Sequence, residues 1–206
     1  MDTPEAIEHA LRGLVADLLE VVGSGADMRN GQRVAVPDAR ASVYVGEPSR
    51  DRPCAYRFVD EILARSLGGP VEHLVHRFKM LEDHLIWGHA PGYDADTVGE
   101  DFLDNYCHAL LTGPDGPLRC DAPLGAFVLF GPHTFYREHH HAPNEVYLAL
   151  SGGGQWQVEG AAWQILEAGQ TIFIPSGAVH AIRAGEEPLL TFSFWLEPGD
   201  MLEIAI

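Results

Sequence analysis

After Pro117 the chain breaks into short β-prone segments, each closed by turn residues. GAFVLF (125–130), EVYLAL (145–150), QWQVE (155–159), TIFIP (171–175) and LLTFSFWL (189–196) are rich in β-branched and aromatic side chains. Gly152-Gly153-Gly154, Gly160, Ala168-Gly169, Gly177 and Gly185 punctuate them. Strands this short bury their apolar faces only by pairing into a sandwich or a barrel, so the back of the chain is expected to be all-β.

The front reads differently. Ile7, Leu11, Leu14, Leu18 and Val21 recur at helical spacing over 3–22, with Thr3 and Pro4 as N-cap and first-turn residue and Gly23 and Gly25 as stops. Residues 24–53 are polar and rich in Gly, Pro, Arg and Asp, and read as a long loop, either lid or linker. Three shorter helices are expected near 56–66, 70–87 and 96–111. The second carries Val71, Leu74, Val75, Phe78, Leu81 and Leu85 on one face; the third carries Val98, Phe102, Tyr106 and Leu110, with Pro91-Gly92 between the two. The expected division is a helical region, 1–116, packed on a β unit, 117–206. No repeat or low-complexity tract interrupts it.

The length allows one domain, or one with an added subdomain, and 46% hydrophobic with 21% charged residues is a globular composition. Thirteen basic against 30 acidic residues give a net charge of −17, which disfavours nucleic acid and anionic membranes as partners. It suits a cationic small molecule and, more simply, keeps the protein soluble. Cys54, Cys107 and Cys120 match no CxxC spacing and read as reduced, structural thiols of a cytoplasmic protein. MDTPEAIEHALRG lacks a signal-peptide core, and no apolar run reaches the roughly 18–20 residues that span a bilayer.

The segment EHHHAPNEVYLALSG holds most of the chemistry. His139, His141, Glu145 and Tyr147 all have odd numbers, so in extended chain they share a face while His140 points away; Pro143 disturbs that alternation locally. Two imidazoles and a carboxylate suit a divalent transition metal, and Fe, Mn, Zn, Co and Ni all remain open. His180, following the turn Pro175-Ser176-Gly177-Ala178-Val179, is the natural fourth ligand. Four protein ligands leave coordination positions open for catalysis. A HHH run alone also suits a solvated tract; the spacing to Glu145 and His180 favours a site.

That spacing, Gly131, then His139-x-His141-x3-Glu145-x6-Gly152, resembles the first cupin motif, with a spacer after Gly131 two residues longer than usual. Gly169-x5-Pro175-x-Gly177-x2-His180 resembles the second, with Ala184 where an Asn is usual. The resemblance covers roughly 120–200 and implies a single cupin β-barrel of the jelly-roll type preceded by about four helices. Tyr147, two residues after Glu145, and Tyr136, three before His139, are candidates for chemistry beyond metal binding. A divalent cation favours the phenolate, which makes a nearby tyrosine a general base. Either residue also serves as plain barrel lining. Trp156, Phe192, Phe194 and Trp195 supply aromatic surface able to face a cation, with core packing as the plainer role for most of them.

The pattern Tyr-x-x-His-x-His-x3-Glu-x-Tyr, behind a helical region of about 110 residues, resembles the bacterial cupin dimethylsulfoniopropionate lyases. The resemblance implies His139, His141, Glu145 and His180 as metal ligands, Tyr147 as base, and Tyr136 and Trp195 as pocket walls; Tyr93, in the PGY segment, is a further candidate to close the pocket. The implied reaction is a β-elimination of a sulfonium substrate to dimethyl sulfide and acrylate. A cupin dioxygenase or isomerase, or a non-enzymatic metal-dependent small-molecule binding protein, are the alternatives. A homodimer is compatible with an exposed barrel face and an added helical layer. His73, His76, His84, His89 and His108 are assigned to helix surfaces or caps, with His84 and His89 candidates to cover the barrel mouth, and His133 is a candidate neighbour of the ligands.

Overall fold

The computed structural model describes residues 3–23, 30–31, 42–46, 51–198 and 204–205. Helix α1 spans Pro4–Gly23, and strand β1 is Val43–Tyr44. A 3-10 turn, Cys54–Phe58, leads into α2, Val59–Ser66, and α3 spans Glu72–Leu81. A second 3-10 turn, Glu82–His84, precedes β2, Ile86–Gly88; then come α4, Glu100–Asn105, β3, Tyr106–Gly113, and β4, Leu118–Arg119. The remaining strands are β5 Leu124–Phe130, β6 Phe135–His139, β7 Glu145–Ala149, β8 Gly154–Val158, β9 Gln164–Leu166, β10 Thr171–Ile174, β11 His180–Arg183 and β12 Leu189–Trp195.

The strands form two sheets. The large one runs β1-β4-β3-β5-β12-β7-β10 with β2 added on β3, and the small one runs β6-β11-β8-β9. Every pairing is antiparallel except β3 with β4. Strand alternation sorts the large sheet's side chains into two cores. Cys107, Ala109, Leu111, Phe127, Leu129, Val146, Leu148, Leu190, Phe192 and Phe194 pack against Leu11, Leu14 and Leu18 of α1, Ile62 of α2, and Leu74 and Phe78 of α3. The opposite residues, among them Val128, Phe130, Ala149 and Leu189, meet Trp156, Leu166 and Ile182 of the small sheet. The molecule is therefore three layers deep: helices, large sheet, small sheet. Burial on both faces makes β3, β5, β7 and β12 continuously buried.

Helix α1 begins as expected, with Ala6 N–H donating to Thr3 Oγ1 at 3.3 Å. Arg77 of α3 pairs with Asp17 of α1, tying the two helices together. The expected 24–53 loop lies largely outside the described residues, but Val43–Tyr44 within it is a strand paired with β4. The helix expected over 70–87 ends at Leu81, and Ile86–Gly88 joins the large sheet. The helix expected over 96–111 divides in two: Glu100–Asn105 is helical, and Tyr106–Gly113 is β3. Spacing by four satisfies both periods, since it is close to one helical turn and also two strand repeats. Tyr106 and Leu110 do share a face, but the inner face of a strand, so strands of the large sheet enter before residue 117. Among the described residues no helix is long and apolar enough to cross a membrane.

Candidate metal centre

Glu145 opens β7 facing the space between the sheets, 1% exposed. His141 sits in the preceding turn and His180 opens β11. Two hydrogen bonds join their loops: Gly177 N–H donates to His141 O at 2.9 Å, and Ser176 N–H to Asn144 Oδ1 at 2.9 Å. Gly177 lies at φ +72°, a left-handed conformation that glycine adopts without strain, and this bend delivers His180 to the site. His141, Glu145 and His180 each offer one ligand atom, all within 4.8 Å of one another. Glu145 Oε2 lies 3.0 Å from His141 Nε2 and 3.4 Å from His180 Nε2.

Three imidazoles are oriented alike. Nδ1 of His139 lies 2.9 Å from Arg137 O, Nδ1 of His141 lies 3.0 Å from Pro143 O, and Nδ1 of His180 lies 3.0 Å from Ala178 O. A carbonyl only accepts, so each Nδ1 carries its hydrogen and each neutral ring presents a bare Nε2. Among the described residues His180 Nε2 is buried with no hydrogen-bond partner. These residues fit a divalent cation: bare imidazole nitrogens and a carboxylate oxygen converge, and one is an orphan that an ion would satisfy. Burial opposes ionisation of Glu145, yet the neighbouring His141 and His180 hold its carboxyl well below the usual range. Burial likewise opposes charge on His141, while Glu145 and the Pro143 carbonyl hold it above its ordinary value. His139 is pushed well below, by burial and by His180.

Glu145 Oε1 accepts from Trp195 Nε1–H at 3.1 Å and from the Ser193 hydroxyl. The Trp195 ring lies 4.4 Å from that of His141. Tyr136 stacks on His139, centroids 3.8 Å apart and planes 17° from parallel, and hydrogen-bonds Tyr93 through the hydroxyls. Tyr147 faces the same cavity from β7, its ring 6.4 Å from His180. Burial and then the Glu145 carboxylate push its phenol well above the ordinary value. Burial pushes Tyr93 up to about 12. The cavity lined by His139, His141, Glu145, Tyr136, Tyr147 and Trp195, among others, measures about 30 Å³.

Residues 31–191 match the family model described as dimethylsulfoniopropionate lyase. The chain belongs to the dimethylsulfoniopropionate lyase family. Dimethylsulfoniopropionate lyase DddQ of Ruegeria pomeroyi is 33% identical over 104 residues, 50% of this chain and 51% of DddQ, so the match spans about half of that relative's length. Putative dimethylsulfoniopropionate lyase DddL of Cereibacter sphaeroides is 28% identical over 170 residues, 79% of this chain and 70% of DddL. A crystal structure reported for the DMSP lyases RdDddP and RnDddQII superposes with TM-score 0.67 at 26% identity, covering 96% of this chain and 94% of that one. The cupin fold that the two motifs implied is the fold observed, with its strands in two separate sheets rather than the closed barrel expected.

In this lyase-family chain the structure brings His141, Glu145, Tyr147, Tyr136 and Trp195 to one cavity, with His180 beside Glu145 and His141. His139 lines it too, its ring 4.0 Å from His180, although the tight donor cluster is His141, Glu145 and His180. Tyr93 reaches the cavity wall through Tyr136. Odd numbering alone would place Tyr136 opposite His139. Both turn inward because β6 carries an extra residue between them, where His139 pairs with His180 but Tyr136 with Ile182. Phe192 and Phe194 face the helices instead, and His133 is exposed. Ser193 was not singled out; two positions before Trp195 on a strand, it shares that residue's inward face.

His108 requires correction: it is not on a helix surface but buried on β3, lining the same cavity. Burial, with His89 nearby, lowers its pKa to about 4. Its folded value lies below the unfolded value of 6.5, so its contribution to stability is complete above pH 6.5 and is lost as pH falls towards 4. The loss expected is on the order of 3 kcal/mol. His108→Leu should flatten urea-unfolding stability between pH 7 and pH 4 by about that amount. Trp195→Phe should remove one hydrogen bond to Glu145 while keeping an aromatic ring, and lower metal affinity by about 10–100-fold, read by competition with a chelating dye.

Proposed function

We propose that this chain is a metal-dependent carbon–sulfur lyase that splits dimethylsulfoniopropionate into dimethyl sulfide and acrylate by β-elimination. The observation that carries this reading is Tyr147 on the inward face of β7, two residues beyond Glu145, beside a convergent set of oriented imidazoles and a carboxylate. His141, Glu145 and His180, with His139 beside them, would hold one divalent transition metal ion, which supplies a Lewis acid for the substrate carboxylate and for charge developing at the α-carbon.

The Tyr147 oxygen, as phenolate, takes the α-proton. The C–H electron pair becomes the new double bond, the C–S bond breaks, and sulfur leaves with its pair as neutral dimethyl sulfide. A sulfonium leaves readily, so no general acid is required. The ring faces of Tyr136 and Tyr93 attract the sulfonium. Trp195 has its indole N–H on Glu145 and its ring against His141, which places its part at the carboxylate end of the substrate. Without a cation, burial and Glu145 keep the Tyr147 hydroxyl protonated. Elimination by this base therefore depends on the ion, and stripping the metal should abolish turnover.

The test is incubation of protein loaded in turn with Fe, Mn, Co, Ni or Zn with dimethylsulfoniopropionate, reading dimethyl sulfide by gas chromatography. Absence of product with every ion would sink the proposal.

A further inference from the structure

The cavity at the metal cluster, about 30 Å³, holds roughly two waters and not a chain bearing both a carboxylate and a sulfonium. A groove of about 340 Å³ lies beside it, between the β2–β3 pair and the turn that follows β3. That volume is within the usual range of small-ligand pockets, about 300–1,000 Å³. Groove and cavity share two lining residues, His108 and Leu124. Leu124 belongs to a small apolar cluster with Leu110, Ala126 and Trp195, separate from both main cores. We propose that this groove is the route by which substrate reaches the metal cluster, with His108 and Leu124 as the wall that it displaces.

Three features favour passage at this wall. Among the described residues His108 Nδ1 is buried with no hydrogen-bond partner, so none of them anchors that edge of the ring. On the groove side stands Gly88, where an added Cβ would meet, among the described residues, only His108 Nε2, at 3.8 Å, so no side chain at residue 88 confines the imidazole. The apolar cluster at this wall is small, and parting it exposes little surface compared with opening either main core. At the rim Asp115, on a chain of net charge −17, attracts a sulfonium cation, while an imidazole N–H offers a passing carboxylate a hydrogen bond.

The proposal rests on the lyase reading for the substrate's identity, but access to the metal can be tested apart from it. Gly88→Cys, in a background with Cys54→Ser and Cys120→Ser, places a thiol in the groove for coupling to N-phenylmaleimide. Loaded with Co(II), the labelled protein should keep its metal. Acrylate should perturb its visible spectrum about tenfold more slowly than that of the unlabelled protein, and kcat/KM for dimethylsulfoniopropionate should fall by a similar factor. The same label on Ile165→Cys, exposed on the outer face of β9, should change neither. Leu124→Ala, which thins the wall without adding bulk, should speed acrylate access several-fold.

Full labelling at residue 88 with unchanged acrylate access and turnover overturns the route, as does Leu124→Ala with access unaltered. If the label slows acrylate but neither form cleaves the sulfonium substrate, the route stands and the lyase reading fails. If both forms cleave it equally, the lyase reading stands and the route fails.

Discussion

Tyr147→Phe is expected to keep its fold and its metal while kcat falls by about 10²–10⁴-fold, the range for loss of a positioned general base. The ring stays in its core beside Trp156, centroids 5.9 Å apart, so only the hydroxyl is removed. Metal content measured on the same sample separates loss of chemistry from loss of the site. Near-normal turnover would move the base elsewhere. Tyr136→Phe should cost less, because its ring stacking on His139 survives and only the bond to Tyr93 is lost.

Glu145→Gln should lose metal more completely than any change around it. The substitution is close to isosteric, so the three-layer packing is retained. An amide, however, replaces the carboxylate between His141 and His180 and places an uncharged group where the donors need a negative one. Affinity should fall by more than the roughly 10–100-fold expected for an outer partner such as Trp195. Metal analysis after dialysis against a weak chelator reads this directly, and undiminished metal would move the proposed site. Glu145→Ala is the less informative change, since it also strands the Trp195 N–H and the Ser193 hydroxyl without an acceptor.

Local signals gave good access to the back of the chain. Segments 125–130, 145–150, 155–159, 171–175 and 189–196 are strands within a residue or two, because each is short, β-prone and bounded by turns. Strands β6 and β11 were less visible because their polar positions are site residues, which suppress the apolar alternation. Strand β3 was misread because Tyr106 and Leu110 stand four apart, a spacing that helix and strand share, and because burial on both faces erases the alternation that would have told them apart. His108 followed β3 into the same error.

The sequence by itself set which imidazoles and carboxylate stand at cupin spacing and their order along the chain, and three of them, His141, Glu145 and His180, converge. It also placed Tyr147 on the face of Glu145, because strand parity is a local property. Only the tertiary structure decided that Tyr136 turns inward, since the bulge in β6 arises from pairing with β11. Only the folded backbone set the Nδ1–H of three histidines on carbonyls two residues away, through local conformations that no spacing encodes. It also placed His108 between the small cavity and the larger groove, because that position depends on β2, β3 and β5 pairing side by side.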